Sequence, residues 1–325
     1  MKNIQKNIVP IVFLILCAIG FHYSRLSWAF FASDLVTRLA RNSFLVISLI
    51  IPVLAGMGLN FGIVLGAMAG QFAAFFTVVY SMTGLAGFAA ACAISVPFAV
   101  LFGWLTGIVF NRAKGKEMIT GLILGFFANG LYQLVCLMFI GRFIPISDRS
   151  LLLPSGVGFV NTIDLNIWQY ALDKFYVLRL KGIDIPVLKY LNNIGLPVLT
   201  LFIVALLCAA VYLLFRTKLG QDFRAVGQNR HIAEIAGIRV DRVRIIAVIF
   251  STVLAAWGQL IFLQNIGNVQ VYGSHIQVGT FAVAALLIGG ATVSKATIGQ
   301  ALLGTVLFHA LFIVSPLAGK NIMGS

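Results

Sequence analysis

The side chains that could do chemistry in this sequence are few, and their spacing fits no catalytic constellation. The four histidines, His22, His231, His275 and His309, are scattered, and no His/Glu pair stands at metal-ligand spacing. The four cysteines, Cys17, Cys92, Cys136 and Cys208, all lie in apolar stretches and read as small buried hydrophobes. No G-x-x-x-x-G-K-S/T phosphate loop occurs, because Gly319-Lys320 lacks both the upstream glycine and the following hydroxyl residue. What remains is a set of uncharged polar residues inside apolar runs: Asn60, Gln71, Asn129, Gln133, Gln259, Gln264 and His309. Such groups hydrogen-bond without carrying charge. The six amides are candidates to line a path for a neutral or zwitterionic solute. The competing reading is that each amide bonds a neighbouring helix. No buried Asp, Glu, Arg or Lys is expected, which weakens a proton-coupled carrier and an enzyme that needs titratable groups near its cavity.

The elements that must position these residues are membrane helices. No Asp, Glu, Lys or Arg occurs between Arg41 and Arg112, and similar runs cover 118–141, 190–215, 245–294 and 296–319. The chain of 325 residues is 60% hydrophobic and 10% charged, with mean hydropathy +1.02. About 20 apolar residues cross the ~30 Å hydrocarbon core as a helix, and helices satisfy their own backbone in lipid. The expected fold is an all-α polytopic transmembrane bundle in one domain, 1–325. It has about nine spans by length and hydropathy: 8–21, 44–59, 61–80, 85–110, 118–140, 195–215, 244–264, 277–291 and 297–315.

Charge sets the sidedness. The net charge is +14, and two short connections are rich in cations. One, 111–117, carries Arg112, Lys114 and Lys116; the other, 216–243, carries Arg216, Lys218, Arg224, Arg230, Arg239 and Arg242. The positive-inside rule places both in the cytoplasm and explains the charge without nucleic acid. The first stretch follows Lys2 and Lys6, and the residue before Cys17 is Leu16, not the small residue that cleavage requires. It reads as a retained helix with its N-terminus cytoplasmic. Segment 141–194 then falls outside. Its stretch Ile167–Leu180 mixes Trp168, Tyr170, Phe175 and Tyr176 with Asp173, Lys174 and Arg179, and is expected to lie as an interfacial amphipathic helix.

Glycines predict where helices touch. Gly58, Gly62, Gly66 and Gly70 recur every four residues and are expected on one helix face, where a second backbone can approach. Gly103/Gly107 and Gly121/Gly125 repeat the spacing, and the pair Gly289-Gly290 is a further packing candidate. Asn60 beside Gly58 is expected to break a helix at depth, as happens where backbone lines a cavity.

The most specific wording lies in 216–243. A short helix over about 230–236 is expected, with Asn229 as N-cap and Gly237 as its stop. Leu219-Gly220, Ala225-x-Gly227-x-Asn229, Ala233 and Ala236-Gly237-Ile238, followed by a span, resemble the inner loop of bacterial ATP-binding-cassette (ABC) importer permeases. The branch resembled serves ribose-type sugars, nucleosides and branched-chain amino acids. Ala282, Ala284-Ala285, Leu287-Ile288-Gly289-Gly290, Gly299 and Gly304 continue the likeness, which is strong over 216–305 and weaker over 44–140. The resemblance implies a coupling helix, with Gly227, Asn229, Arg230, Ala233, Glu234, Ala236 and Gly237 as its residues. It implies a separate ATPase subunit carrying ATP-Mg, an extracytoplasmic solute-binding protein and a second permease subunit, identical or different. It also implies a bacterial inner membrane and about ten spans per subunit. No cofactor or metal is expected in this chain, and its remaining partner is membrane lipid. Two departures stand out. Ala291-Thr292-Val293-Ser294-Lys295-Ala296 replaces the usual glycine-rich turn, and the sequence ends at Ser325 before a tenth span. The solute implied is a simple sugar or nucleoside. The alternatives are a branched-chain amino acid and, from another class, an ion-coupled carrier.

The sidedness is testable. A cysteine replacing Ser150 should react with an impermeant thiol reagent added to intact cells, and one replacing Gln228 should react only after permeabilisation. Labelling at Gln228 in intact cells would reverse the orientation.

Overall fold

The computed structural model describes residues 8–146, 148–173, 177–178 and 196–323. Helix α1 is Ile8–Ser24, and α2 runs Trp28–Ser48 and continues after a one-residue break as α3, Ile50–Leu54. Then come α4 (Ile63–Val79), α5 (Gly84–Arg112) and α6 (Glu117–Leu134), the last ending in a π turn, Val135–Phe139. After the long connection follow α7 (Val198–Leu214), α8 (Lys218–Gln228), α9 (Arg230–Ile235), α10 (Val240–Ile266), α11 (Ser274–Ile288) and α12 (Ile298–Met323). Five of these helices are long and apolar enough to cross a membrane, counting α2–α3 as one, and six if the bent pair α7–α8 is included. The shorter apolar helices α1, α4 and α11 pack among them.

Each expected apolar segment becomes a helix, but the second is misplaced. The span expected over 44–59 begins at Trp28, where the Ser27 hydroxyl caps the helix by accepting the Phe30 N–H. Charge counting hid this start, because the helix carries Asp34, Arg38 and Arg41. Asp34 and Arg38 pair at 2.9 Å one turn apart, and Arg41 donates to Asn265 Oδ1 at 3.1 Å. The break before the third segment is real: residues 55–62 are non-helical, and Gly56 and Gly58 take φ of 72° and 69°.

That break corrects the glycine stripe. Only Gly66 and Gly70 lie within α4; Gly62 caps it and Gly58 lies in the break. Four glycines inside helices, Gly66, Gly70, Gly103 and Gly107, converge on α10. A methyl group on Gly66 would sit 2.6 Å from Thr252 O, and one on Gly70 2.6 Å from Ala256 O. From α5, Gly103 and Gly107 would meet the Cα atoms of Ile249 and Ile245 at 2.8 and 2.9 Å. Gly289 and Gly304 make the equivalent crossing between α11 and α12, each against the other helix's backbone. Helix α10 is thus the post around which α2, α4 and α5 are arranged, and its buried residues recur along its length.

The connections gather at two ends. Residues 55–62, 113–116, 215–239 and 289–297 meet at one end: Gly58 is placed against Met118 and Val293, and Gly56 against Gly227. At the opposite end the segment after α6 folds back over the bundle. Strand β1 (Thr162–Asp164) pairs antiparallel with a second strand, Asn268–Gln270, in the register Ile163↔Val269. A separate short pair joins Val177–Leu178 to Leu196–Pro197. The expected amphipathic helix from Ile167 does not form over 167–173, which is a run of turns. Trp168 is buried there and donates its indole N–H to Thr77 Oγ1 at 3.0 Å, and Tyr170 N–H bonds Gln264 O at 2.8 Å. Residues 174–176 and 179–195 lie outside the described residues.

Because Gly66 abuts the α10 backbone, Gly66→Leu should lower the thermal unfolding temperature of the purified chain, by an overpacking cost of about 1–3 kcal/mol. Gly130→Leu, on α6 with open space around it, should leave it within a degree or two. Equal effects from the two substitutions would show that the crossing does not depend on the absent side chain.

Candidate functional site

Three groups of residues form the candidate site. The first is the loop segment α8–α9. Thr217 caps α8 by accepting the Gly220 N–H at 3.3 Å, and α8 turns 73° away from α7. Sequence reading missed α8, although the cap and the spacing Leu219, Phe223, Val226 carry its signal. Asn229 Oδ1 accepts the N–H groups of His231 and Ile232 at 3.0 and 3.2 Å and starts α9. Gly237 ends it with φ of 82°, while Ile238 N–H returns to Ala233 O at 3.0 Å. The face turned to the bundle holds Ala233, only 3% exposed. Ala233 therefore packs on its own chain and is not part of the exposed face of α9. The outward face carries Ile232 and Ile235, 63% and 74% exposed, beside His231, Glu234 and Ala236.

The second group ties this segment to the bundle. The Gly227 and Gly56 backbones touch directly: a methyl group on Gly56 would sit 2.9 Å from Gly227 Cα, and one on Gly227 would collide with Leu54 O. Arg230 donates to Gly56 O at 3.3 Å and to Glu117 Oε1 at 2.5 Å. The same carboxylate oxygen accepts from Arg244. Arg244 is fully buried and Glu117 nearly so, which overturns the expectation of no buried charge. Glu117 opens α6 and Arg244 lies about one turn into α10, where the sequence showed only a boundary. One carboxylate faces two guanidinium groups, and Arg244 Nε and Nη1 have no partner among the described residues.

The third group holds three of the six intramembrane amides, Gln71, Asn129 and Gln259. Tyr132 OH donates to Val271 O at 2.8 Å and lies 3.2 Å from Gln71 Oε1, while Gln71 Nε2 donates to Gln270 O at 3.4 Å. The Tyr132 ring packs on His275, whose Nε2 is 2.9 Å from Asn129 Oδ1. Gln259 Nε2 donates to Ser274 Oγ at 3.2 Å. Gln71, Asn129, Tyr132, Gln259, Ser274 and His275 therefore meet at the N-terminal end of α11. Gln259 Oε1 and His275 Nδ1 are buried and unpartnered among the described residues. An open apolar cleft of about 60 Å³, lined by Phe61, Val64, Gly125, Phe126, Ile276 and Gly279, lies within a turn of Asn129 and His275. The other amides are placed elsewhere. Asn60 bonds Ser251 at 3.4 Å, Gln264 donates to the buried Asp173 at 3.2 Å, and half-buried Gln133 joins none of these bonds. Sequence reading missed Tyr132, Ser274 and His275; Tyr132 had a signal, one turn beyond Asn129 on α6.

The cluster can hydrogen-bond hydroxyl groups and offer aromatic faces. It contains no carboxylate, guanidinium or ammonium group to neutralise an ionic solute.

Comparison with known proteins places this geometry. The family described as "Branched-chain amino acid transport system / permease component" matches residues 31–322. Among curated relatives, the autoinducer 2 import system permease protein LsrC of Klebsiella pneumoniae is 39% identical over 98 residues, 30% of this chain and 28% of that protein. The fructose import permease protein FruG of Bifidobacterium longum is 26% identical over 203 residues, 62% of this chain and 51% of that protein. LsrC of Photorhabdus luminescens is 25% identical over 295 residues, covering 89% and 76%. The chain thus spans only 28% and 51% of the first two of these relatives' lengths. No solved structure matches.

The ion triad generates a prediction. Removing one member of a buried pair strands the other and costs about 3–5 kcal/mol. Glu117→Gln should therefore destabilise the purified chain by that order. Adding Arg244→Met should recover part of the loss, because the stranded charge is gone. If Glu117→Gln unfolds at the wild-type temperature, the carboxylate does not hold the segment.

Proposed function

The chain belongs to the branched-chain amino acid transport system / permease component family, and from that membership we propose that it is the translocating subunit of an ATP-driven importer of a small neutral polar solute of the simple-sugar class. It is a transport component and not an enzyme. ATP is hydrolysed on separate partner chains, an extracytoplasmic binding protein delivers the solute, and a second permease subunit, identical or different, completes the assembly. The end bearing α8 and α9 faces the bacterial cytoplasm with the N-terminus, in keeping with the cations of 111–117 and 216–243.

One observation carries the coupling role. A six-residue helix, far too short to be stable alone, is capped at both ends, pinned through Gly227 and Arg230, and presents two exposed isoleucines. Exposed apolar side chains on an anchored helix at a water-facing end await a partner. Gly227, Asn229, Arg230, Ala233 and Gly237 build and anchor this helix. Ile232, Ile235, Glu234 and Ala236 form the face offered to the ATPase.

The solute class rests on the polar cluster. Gln71, Asn129, Tyr132, Gln259, Ser274 and His275 supply hydrogen bonds without formal charge partners, which suits hydroxyl groups. An amino acid's carboxylate and ammonium, once desolvated, need charged or densely bonded partners. The relative FruG, a fructose import permease, agrees with this choice. Proton-driven carriers route the proton through Asp, Glu or His; the cluster has no carboxylate among the described residues, and its one imidazole, His275, is engaged with Asn129 and Tyr132.

Reconstitution with the ATPase and the loaded binding protein tests the coupling face. Ile232→Asp and Ile235→Asp should each weaken ATPase binding about thirtyfold, the effect of losing an interface anchor worth about 2 kcal/mol. Gly237→Val should lower solute-stimulated hydrolysis with insertion intact, because a β-branched residue tolerates the left-handed backbone poorly. Wild-type binding and stimulation in all three variants would remove α9 as the coupling element.

A further inference from the structure

The elbow between α7 and α8 encloses a cavity that neither coupling nor translocation uses. It measures about 380 Å³ and is lined by Leu54, Tyr212, Phe215, Arg224, Lys295 and Ile298, with Ala296 and Thr297 completing the wall. Its walls are of two kinds. Leu54, Tyr212, Phe215 and Ile298 are apolar or aromatic. Arg224 and Lys295 stand exposed at the rim, Arg224 with its guanidinium 5.6 Å from the centre of the Phe215 ring. A third cation, Arg216, lies over the Tyr212 ring at 4.5 Å.

Among the described residues no acidic side chain pairs with these cations. The ion pairs among the described residues use Asp34 and Glu117, and Asp222 on α8 makes none with Arg224 or Lys295. Location supplies the second argument. Helix α7 is uncharged over Val198–Leu214, and the first cations, Arg216 and Lys218, appear where the chain turns 73° into α8. The elbow therefore sits where hydrocarbon gives way to headgroups. Tyr212, which lines it, and the neighbouring Leu213 are exposed at the end of the apolar helix α7.

From these features we propose that the α7–α8 elbow binds one anionic glycerophospholipid, its phosphate held by Arg224 and Lys295 and an acyl chain lying against Tyr212 and Ile298. The chemistry is that of basic pockets between membrane helices. A soluble phosphate matches only the rim and leaves the apolar wall unfilled. An acidic patch on a protein partner likewise matches only the rim. The lipid matches both.

The test uses the purified full-length chain in neutral detergent, titrated with phosphatidylglycerol or phosphatidylcholine and read by native mass spectrometry. Wild type should prefer phosphatidylglycerol, by about fivefold for each engaged cation. Arg224→Gln with Lys295→Gln should abolish the preference, whereas Arg224→Lys should keep it. Arg142→Gln with Arg149→Gln, at the opposite end, should also keep it, which separates a built site from general basicity. Thermal unfolding of the double elbow variant should match wild type, since both side chains are exposed. Equal binding of the two lipids by wild type overturns the proposal, as does a preference that survives the double elbow variant. Full displacement of bound lipid by millimolar inorganic phosphate would assign the cations to a free anion instead. Loss of ATPase co-purification in the double variant without a lipid preference in wild type would assign them to a protein partner.

Discussion

Close approach of backbones to α10 is the constraint on which the rest depends. In lipid, burying apolar surface between helices gains little, because the hydrocarbon is already apolar. What holds helices together is contact, and contact is densest where no side chain intervenes. Gly66 and Gly70 of α4, with Gly103 and Gly107 of α5, bring two helices onto one post. With α10 fixed, Gln259 and Gln264 are fixed with it, and Arg244 near its start reaches Glu117. The polar cluster, the ion triad and the loop all take their positions from this helix.

The two ends of the bundle are secured by different chemistry. At the end carrying α8 and α9, a carboxylate bridges two arginines out of water, and glycine backbones cross directly. Electrostatic attraction is strong at such depth, and so is the penalty for stranding a charge. At the other end the chain is laced by peptide hydrogen bonds: β1 to its partner strand, Leu165 to Gly267, Val271 to Asn161. A displacement of α9 therefore pulls on α6 and α10 through Glu117, and on the broken second crossing through Gly56.

Much of this was legible in the sequence, for local reasons. Uncharged runs announced helices, and Asn229 and Gly237 announced the ends of α9, because caps act within one turn. The losses came from long-range pairing. Asp34, Arg38 and Arg41 disguised a helix as a loop, since their partners one turn away or on α10 are invisible to charge counting. Glu117 and Arg244 looked like boundary charges because the contact between them spans more than a hundred residues. The glycine period was right for packing but wrong for continuity, because Gly56 and Gly58 turn the chain before α4 begins. Ala233 was legible as part of α9, but that its small side chain faces its own bundle depends on how the loop packs. The amides were found as a set; that Gln71 and Asn129 meet around Tyr132 and His275, while Gln264 is held by Asp173, depends on how the helices are arranged.

The hydrogen bonds that roof the polar cluster have a thermodynamic corollary. Val271 N–H to Asn161 O, and Tyr272 OH to Phe159 O, join the segment after α6 to the residues entering α11, beside His275. These bonds are shielded from water by the side chains around them: Phe159, Ile163, Leu165, Val269 and Val271 are all buried. Peeling the covering away exposes those side chains as well as breaking its hydrogen bonds, at about 1.5–3 kcal/mol for each large one. Amide hydrogens over 159–165 and 268–271 are therefore expected to exchange slowly, with the bundle and not as a surface loop does.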